Sequence, residues 1–266
     1  MRAIILAAGR GSRLHPYTAE FPKCLTELSG SPLIEWQLAA LRLCGIEDIV
    51  IVTGFMAEKL SLPGTRQVRN EHWADTNMVE SMFCALSDLK NGAIVAYSDI
   101  VYEPRILRAL IESPHDVSVA VDREWEKLWK FRFDDPLEDA ESLKLNDDQE
   151  IEEIGNRPET VEEIDAQFMG LMRFSKGGVE ALASARDGWR QVERKWMADR
   201  PLRKAYMTDL LMELILHGVT VNAVPVDGGW IEIDTVADYQ RMQALAEEGK
   251  IARFIDLEGL QGFSDE

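Results

Sequence analysis

A chain of 266 residues, 46% of them hydrophobic and 29% charged, can bury a sizeable core as one large α/β unit. Its 29 Lys and Arg stand against 47 Asp and Glu, and the resulting net charge of −18 argues against nucleic acid as a partner. No apolar run approaches the ~20 residues of a membrane-spanning helix, and Ala3–Ala8 is too short for the core of an export signal, so a cytoplasmic protein with Cys24, Cys44 and Cys84 as reduced thiols is expected.

Arg2–Ala8 is apolar and carries β-branched Ile4 and Ile5, which suits a strand buried on both faces of a parallel sheet. The run breaks at Gly9. Gly9 and Gly11 let main-chain N–H groups approach an anion, and Arg13 and Lys23 add positive charge, so the loop reads as a phosphate cradle. It is neither of the two common phosphate motifs: Leu14 stands where the dinucleotide fingerprint needs a small residue, and no Gly-Lys-Ser/Thr follows. Ser31–Leu43 then predicts a helix with Leu33, Ile34, Leu38 and Leu41 on its buried face, ended at Gly45. Ile49–Val52 is the next strand and completes a β-α-β unit. Val68–Asn70 reads as a weaker strand, and Ala74–Leu86 as a helix capped by Asp75 or Thr76.

Ala93–Tyr97 is a strand ending in Ser98-Asp99, which puts Asp99 at the carboxyl edge where ligands of open α/β sheets bind and makes it the first candidate metal ligand; capping of a helix over Pro104–Ile111 is the secondary reading. Val117–Val121 is a further strand. Aromatic residues then precede Asp134–Asp165, where 14 acidic residues face only Lys144 and Arg157. Alternation over Leu143–Leu145 and Ile151–Ile154 predicts β-hairpins there, in an inserted subdomain spanning about 123–165 whose acidity is a solvated surface. Phe168–Phe174 returns to the core as a strand, with Gly170 admitting close approach of a ligand or backbone. Ser175–Ala185, capped by Ser175, and Tyr206–Leu216, with Thr208 and Asp209 on its surface, read as covering helices, and Thr220–Val226 as a strand. In Trp230–Tyr239 the carboxylates of Glu232 and Asp234 alternate with Ile231 and Ile233 and so share one strand face, which together with Asp99 suits a hard cation such as Mg²⁺. The tail beyond Lys250 reads as peripheral.

Leu6-Ala-Ala-Gly-Arg-Gly-Ser-Arg-Leu14, followed by Phe21-Pro-Lys-Cys-Leu25 and Pro32-Leu33-Ile34, resembles the signature of the nucleotidyltransferases that activate sugars and amino-alcohols. Glu232-Ile-Asp-Thr-Val-Ala-Asp-Tyr239, with the Thr76-Asn77 helix start and Asp99, is more similar to the bacterial choline-phosphate cytidylyltransferases, over nearly the whole chain. The resemblance implies a single α/β nucleotidyltransferase domain, Rossmann-like, with a mostly parallel sheet flanked by helices and a small β-rich acidic insertion. It implies transfer of CMP from CTP to a small phosphorylated amino-alcohol, Mg²⁺ as cofactor, release of pyrophosphate, and a place in decorating cell-surface glycans or lipids. Arg13 then meets the triphosphate, Lys23 the α-phosphate and the incoming phosphate, and Asp99 and Asp234 the metal. Leu6, Ala7, Ala8, Gly9, Gly11, Ser12, Thr76, Asn77 and Ser81 surround the nucleotide, helix capping being the alternative for Thr76.

Trp129, Arg123, Gly170 and Glu232 are assigned to the acceptor, with Trp125, Tyr97 and Trp230 as further aromatic candidates for holding a cation; packing competes for each aromatic. The long acidic insertion departs from the compact choline-phosphate enzymes and leaves aminoethylphosphonate or a phosphorylated amide open as acceptor. A sugar-1-phosphate nucleotidyltransferase is the alternative enzyme, and a nucleotide-binding regulatory module the non-enzymatic alternative.

Overall fold

The apolar N-terminal run forms β1 (Arg2–Ala7), an inner strand of the sheet in the computed structural model, which describes residues 1–191 and 200–263. Pleating sends Ile5 and Ala7 to one face of that strand and Ile4 and Leu6 to the other, and each set enters a separate apolar layer. A short hairpin of β2 (Glu27–Leu28) and β3 (Ser31–Pro32) leads into α1 (Leu33–Leu43), after which come β4 (Asp48–Thr53) and β5 (Thr65–Arg69). The expected weak strand is therefore earlier than Val68–Asn70; Asn70 instead turns the chain back, its N–H donating to Thr53 O at 2.8 Å.

Next are α2 (Met78–Cys84), α3 (Leu86–Leu89), β6 (Ala93–Tyr97), β7 (Ile100–Tyr102), α4 (Pro104–Glu112) and β8 (Val117–Asp122). The acidic segment contains the expected hairpin, β9 (Leu143–Leu145) with β10 (Ile151–Ile154), and ahead of it a helix, α5 (Trp125–Arg132), that the alternation gave no sign of. Then follow β11 (Gln167–Phe174), α6 (Lys176–Gln191), α7 (Met207–Leu216), β12 (Asn222–Val226), β13 (Trp230–Glu232) and α8 (Val236–Glu247).

Seven strands pair in the order β12-β8-β11-β6-β1-β4-β5; β11 alone runs antiparallel to its neighbours β6 and β8. α1, α4, α5 and α8 contribute to the apolar layer on one face, and α2, α6 and α7 to the other. Two expectations fail on burial. Thr208 and Asp209 are 3% and 0% exposed rather than on the surface, because Asp209 accepts from Tyr206 N at 2.8 Å and pairs with Arg200 at 2.8 Å. The segment after Lys250 is not peripheral either: Ile255, Leu257 and Leu260 are buried in the layer that α1 occupies. Among the described residues no helix is long and apolar enough to cross a membrane.

Candidate active site

At the carboxyl ends of β1 and β6 a cavity of about 310 Å³ is lined by the glycine loop, by the start of α2 and by Asp99 and Asp234. The loop leaves β1 through Gly11, whose φ of +66° favours glycine. A Cβ there would stand 2.7 Å from Lys23 Cβ, so this glycine lets the lysine stem pass along the loop into the cavity. Thr18 Oγ1 donates to Gly11 O at 3.0 Å and Leu14 is fully buried, which anchors both sides of the turn. Leu6, Ala8, Gly9, Gly11, Ser12, Arg13 and Lys23 all line the cavity, whereas Ala7 alternates inward and packs in the core.

The two acids arrive by strand pairing. β7 and β13 are antiparallel, with Ile100 opposite Glu232, so Asp99 just before β7 and Asp234 just beyond β13 meet at one end. Ile233 N donates to Asp99 O at 3.0 Å and fixes that meeting. Asp99 therefore does not cap α4, whose N-cap is Glu103. Lys23 Nζ lies 2.6 Å from Asp99 Oδ2 and 2.5 Å from Asp234 Oδ1, and Arg13 Nη2 lies 2.5 Å from Asp234 Oδ2. Burial works against the Lys23 ammonium, but the charges of Asp99 and Asp234 outweigh it and its pKa is raised. Burial likewise opposes the Asp234 carboxylate, and the Lys23 charge more than compensates, holding it below the usual range. Asp99 Oδ1, the carboxylate oxygen that Lys23 does not hold, is buried without a hydrogen-bond partner. Among the described residues no three His, Cys, Asp or Glu side chains form a ready cation cage; two carboxylates do converge.

At the start of α2, Thr76, Asn77 and Ser81 line the same cavity. The cap of α2 is Asn77, not Asp75 or Thr76: its Oδ1 accepts from Met78 N at 2.9 Å. Thr76 is instead held by Asn70, a residue that is 2% exposed and donates 2.9 Å to Thr76 Oγ1 and 3.0 Å to Ser81 Oγ. Asn70, Trp73 and Tyr206 were not singled out from the sequence. Trp73 and Tyr206 line the cavity, but Trp73 falls between the predicted elements, Tyr206 opens a helix read only as cover, and Asn70 carries no motif.

None of the residues assigned to the acceptor, Trp129, Arg123, Gly170 and Glu232, lines this cavity. Trp129 is 3% exposed and packs its ring 5.9 Å from Trp125 and 6.1 Å from Trp230, so these three indoles are core and form no cage. Arg123 is exposed and paired with Asp227 at 2.9 Å, away from the cavity lining. Gly170 does admit a close approach, but to a side chain: with φ +75°, a Cβ there would stand 2.6 Å from Tyr97 Cδ2, and Tyr97 lines the cavity together with Trp73 and Tyr206. Glu232 points to Arg132 Nη1 at 2.6 Å rather than into the cavity. Burial, opposed by that arginine, pushes its carboxyl up to about 7.

Arg132, unassigned in the sequence, is the hub behind the acids. Its side chain is wholly buried, stacked between Trp129 and Phe133, with Nε 3.1 Å from Asp238 Oδ1. Asp238 Oδ2 in turn accepts from the main-chain N–H of Asp234 at 3.1 Å and of Thr235 at 2.9 Å, while Thr235 Oγ1 caps α8. The Asp234 backbone is thus tied to α5 and α8 together. An arginine inside an aromatic helix face, with acids downstream, was the one available signal.

A mostly parallel open sheet with a glycine loop, a buried lysine and two carboxylates at its carboxyl edge defines the nucleotidyltransferase class. Residues 3–206 match the MobA-like NTP transferase domain, and the chain belongs to that family. Over 252 residues it is 35% identical to the CTP:phosphoglutamine cytidylyltransferase of Campylobacter jejuni, an alignment covering 90% of this chain and 98% of that protein. Similarity to the choline-phosphate cytidylyltransferase of Streptococcus pneumoniae is more local, 34% identity over 43% of this chain and 52% of that one. The inositol-1-phosphate CTP transferase of T. maritima shares the fold, with a TM-score of 0.71 at 20% identity over 96% of this chain and 97% of that one.

Proposed function

We propose that this chain transfers CMP from CTP to a small phosphorylated acceptor, the favoured class being a phosphorylated amide of an amino acid. The observation that carries the transfer chemistry is the Lys23 ammonium set between Asp99 and Asp234 beside a glycine loop that opens on the cavity. An acceptor phosphate oxygen attacks the α-phosphorus, a new P–O–P link forms, the bond to the bridging oxygen of the β-phosphate breaks, and pyrophosphate leaves. Lys23 neutralises charge on the α-phosphate and the incoming phosphate, Arg13 grips the outer phosphates, and loop N–H groups supply fixed dipoles. Asn70, through Thr76 and Ser81, keeps the base side rigid. No covalent nucleophile is needed.

The donor set suits Mg²⁺: two carboxylates, one with a vacant buried oxygen, fit a cation that keeps several waters and takes its remaining ligands from phosphate. Asp99 and Asp234 would hold it, and when bound it supplies charge neutralisation at the phosphoryl oxygens.

Two observations support the amide over phosphocholine as acceptor. Similarity to the phosphoglutamine enzyme runs through nearly all of both chains, and the indoles expected to cage a quaternary ammonium are buried on one another. The site is tested by pyrophosphate release in the Asp99→Asn and Asp234→Asn variants. Each is expected to lose on the order of 10²–10³-fold in kcat with the fold intact by circular dichroism; unchanged turnover in both would refute the roles given to these acids.

A further inference from the structure

Both oxygens of Asp234 are already taken by side-chain cations, Oδ1 by Lys23 Nζ and Oδ2 by Arg13 Nη2, each at 2.5 Å. Lys23 also holds Asp99 Oδ2 at 2.6 Å. The acids read as ligands of a divalent ion are therefore neutralised by the very cations read as ligands of the phosphates. The Lys23 and Asp234 side chains are only 9% and 8% exposed, so water screens this pair poorly. Arg13, 63% exposed, closes the arrangement from the cavity mouth and also reaches Asp139 at 3.8 Å.

We propose that Lys23 and Arg13 hold the place of the divalent cation in the free protein, so that metal and nucleotide enter as one coupled event. The inference rests on the reading of Asp99 and Asp234 as metal ligands. A divalent ion arriving alone has to displace an ammonium and a guanidinium that gain no new anion in exchange, and a buried cation stripped of its partner is costly. An ion arriving with a triphosphate leaves Lys23 and Arg13 paired to phosphate oxygens while the carboxylates turn to the metal. Charge is exchanged across the cavity and none is left uncompensated. By linkage, each ligand then raises the affinity for the other by the same factor. Asp99 Oδ1, buried without a hydrogen-bond partner, is the one oxygen of these two carboxylates that no side-chain cation holds.

The experiment is Mn²⁺ binding to the nucleotide-free full chain, read by the electron paramagnetic resonance of free Mn²⁺. Lys23→Met is expected to bind Mn²⁺ tighter than the unaltered chain by on the order of tenfold. Arg13→Met, altered at an exposed side chain that threatens folding least, is expected to shift in the same direction. Addition of Asp234→Asn to either variant is expected to abolish the gain. Mn²⁺ affinity unchanged or weakened in both single variants overturns the place-holding. A gain that survives Asp234→Asn refutes instead the reading of Asp234 as a metal ligand, so the two failures are told apart.

Discussion

Glu141 carries a charge that the fold opposes. Burial, reinforced by the charges of Asp139 and Asp209, pushes its carboxyl from 4.5 up to about 7. The folded value lies above the unfolded one, so the stability associated with the protonated group is complete below pH 4.5 and is lost as pH rises through 7. Glu141→Gln, which keeps the shape and removes the charge, is expected to match the unaltered chain near pH 4.5 and to exceed it at pH 8 by about 1–3 kcal/mol in urea unfolding. Equal differences at both pH values would show that the carboxyl is not penalised. At this scale the sequence disclosed what a motif names, Lys23 beside Pro22 and Asp99 after a strand, and missed what burial alone creates. Glu141 and Arg132 look like two more charges in a charged segment until folding takes them out of water.

Among the elements, β11 and α5 set how the cavity wall is held. Gly170→Ala forces a Cβ into the Tyr97 ring from a backbone at φ +75°. It is expected to cost about 1–3 kcal/mol in urea unfolding and to weaken CTP binding measured by calorimetry, since Tyr97 has to shift into the cavity. Arg132→Met removes the common ion-pair partner of Asp238 and Glu232, leaving Asp238 only its main-chain N–H donors. A loss of about 3–5 kcal/mol is expected by the same measurement, and a loss under about 1 kcal/mol would mean these pairs are replaceable. The strands were legible because the inner ones are continuous apolar runs, as in Ala93–Tyr97, where the expected and observed bounds coincide. Caps and edges were not. Asn77 won over Asp75 and Thr76 because Asn70 claims Thr76, and Thr65–Arg69, exposed along most of its length, has no apolar pattern to read.

For the whole molecule, the sheet explains why residues as distant as Lys23, Asp99 and Asp234 act together: β1, β6 and the β7–β13 pair all deliver their ends to one edge. A net charge of −18 is no bar to the proposed triphosphate, which would take over Arg13 and Lys23 from Asp234 and Asp99 and meet the loop N–H groups at short range. The acceptor side was the part least legible in sequence. Aromatic residues near a motif have the composition of a cation cage, and only packing reveals that Trp125, Trp129 and Trp230 spend their faces on each other.

Cytidylyl transfer to a phosphorylated amide is tested by pyrophosphate release at fixed CTP and Mg²⁺, with the product followed by ³¹P NMR, against phosphoglutamine, phosphocholine, aminoethylphosphonate and glucose 1-phosphate. A CMP-linked diphosphate signal is expected, forming fastest with phosphoglutamine and vanishing when Mg²⁺ is chelated. Turnover confined to glucose 1-phosphate, or no turnover with any acceptor while CTP binds tightly, would contradict it.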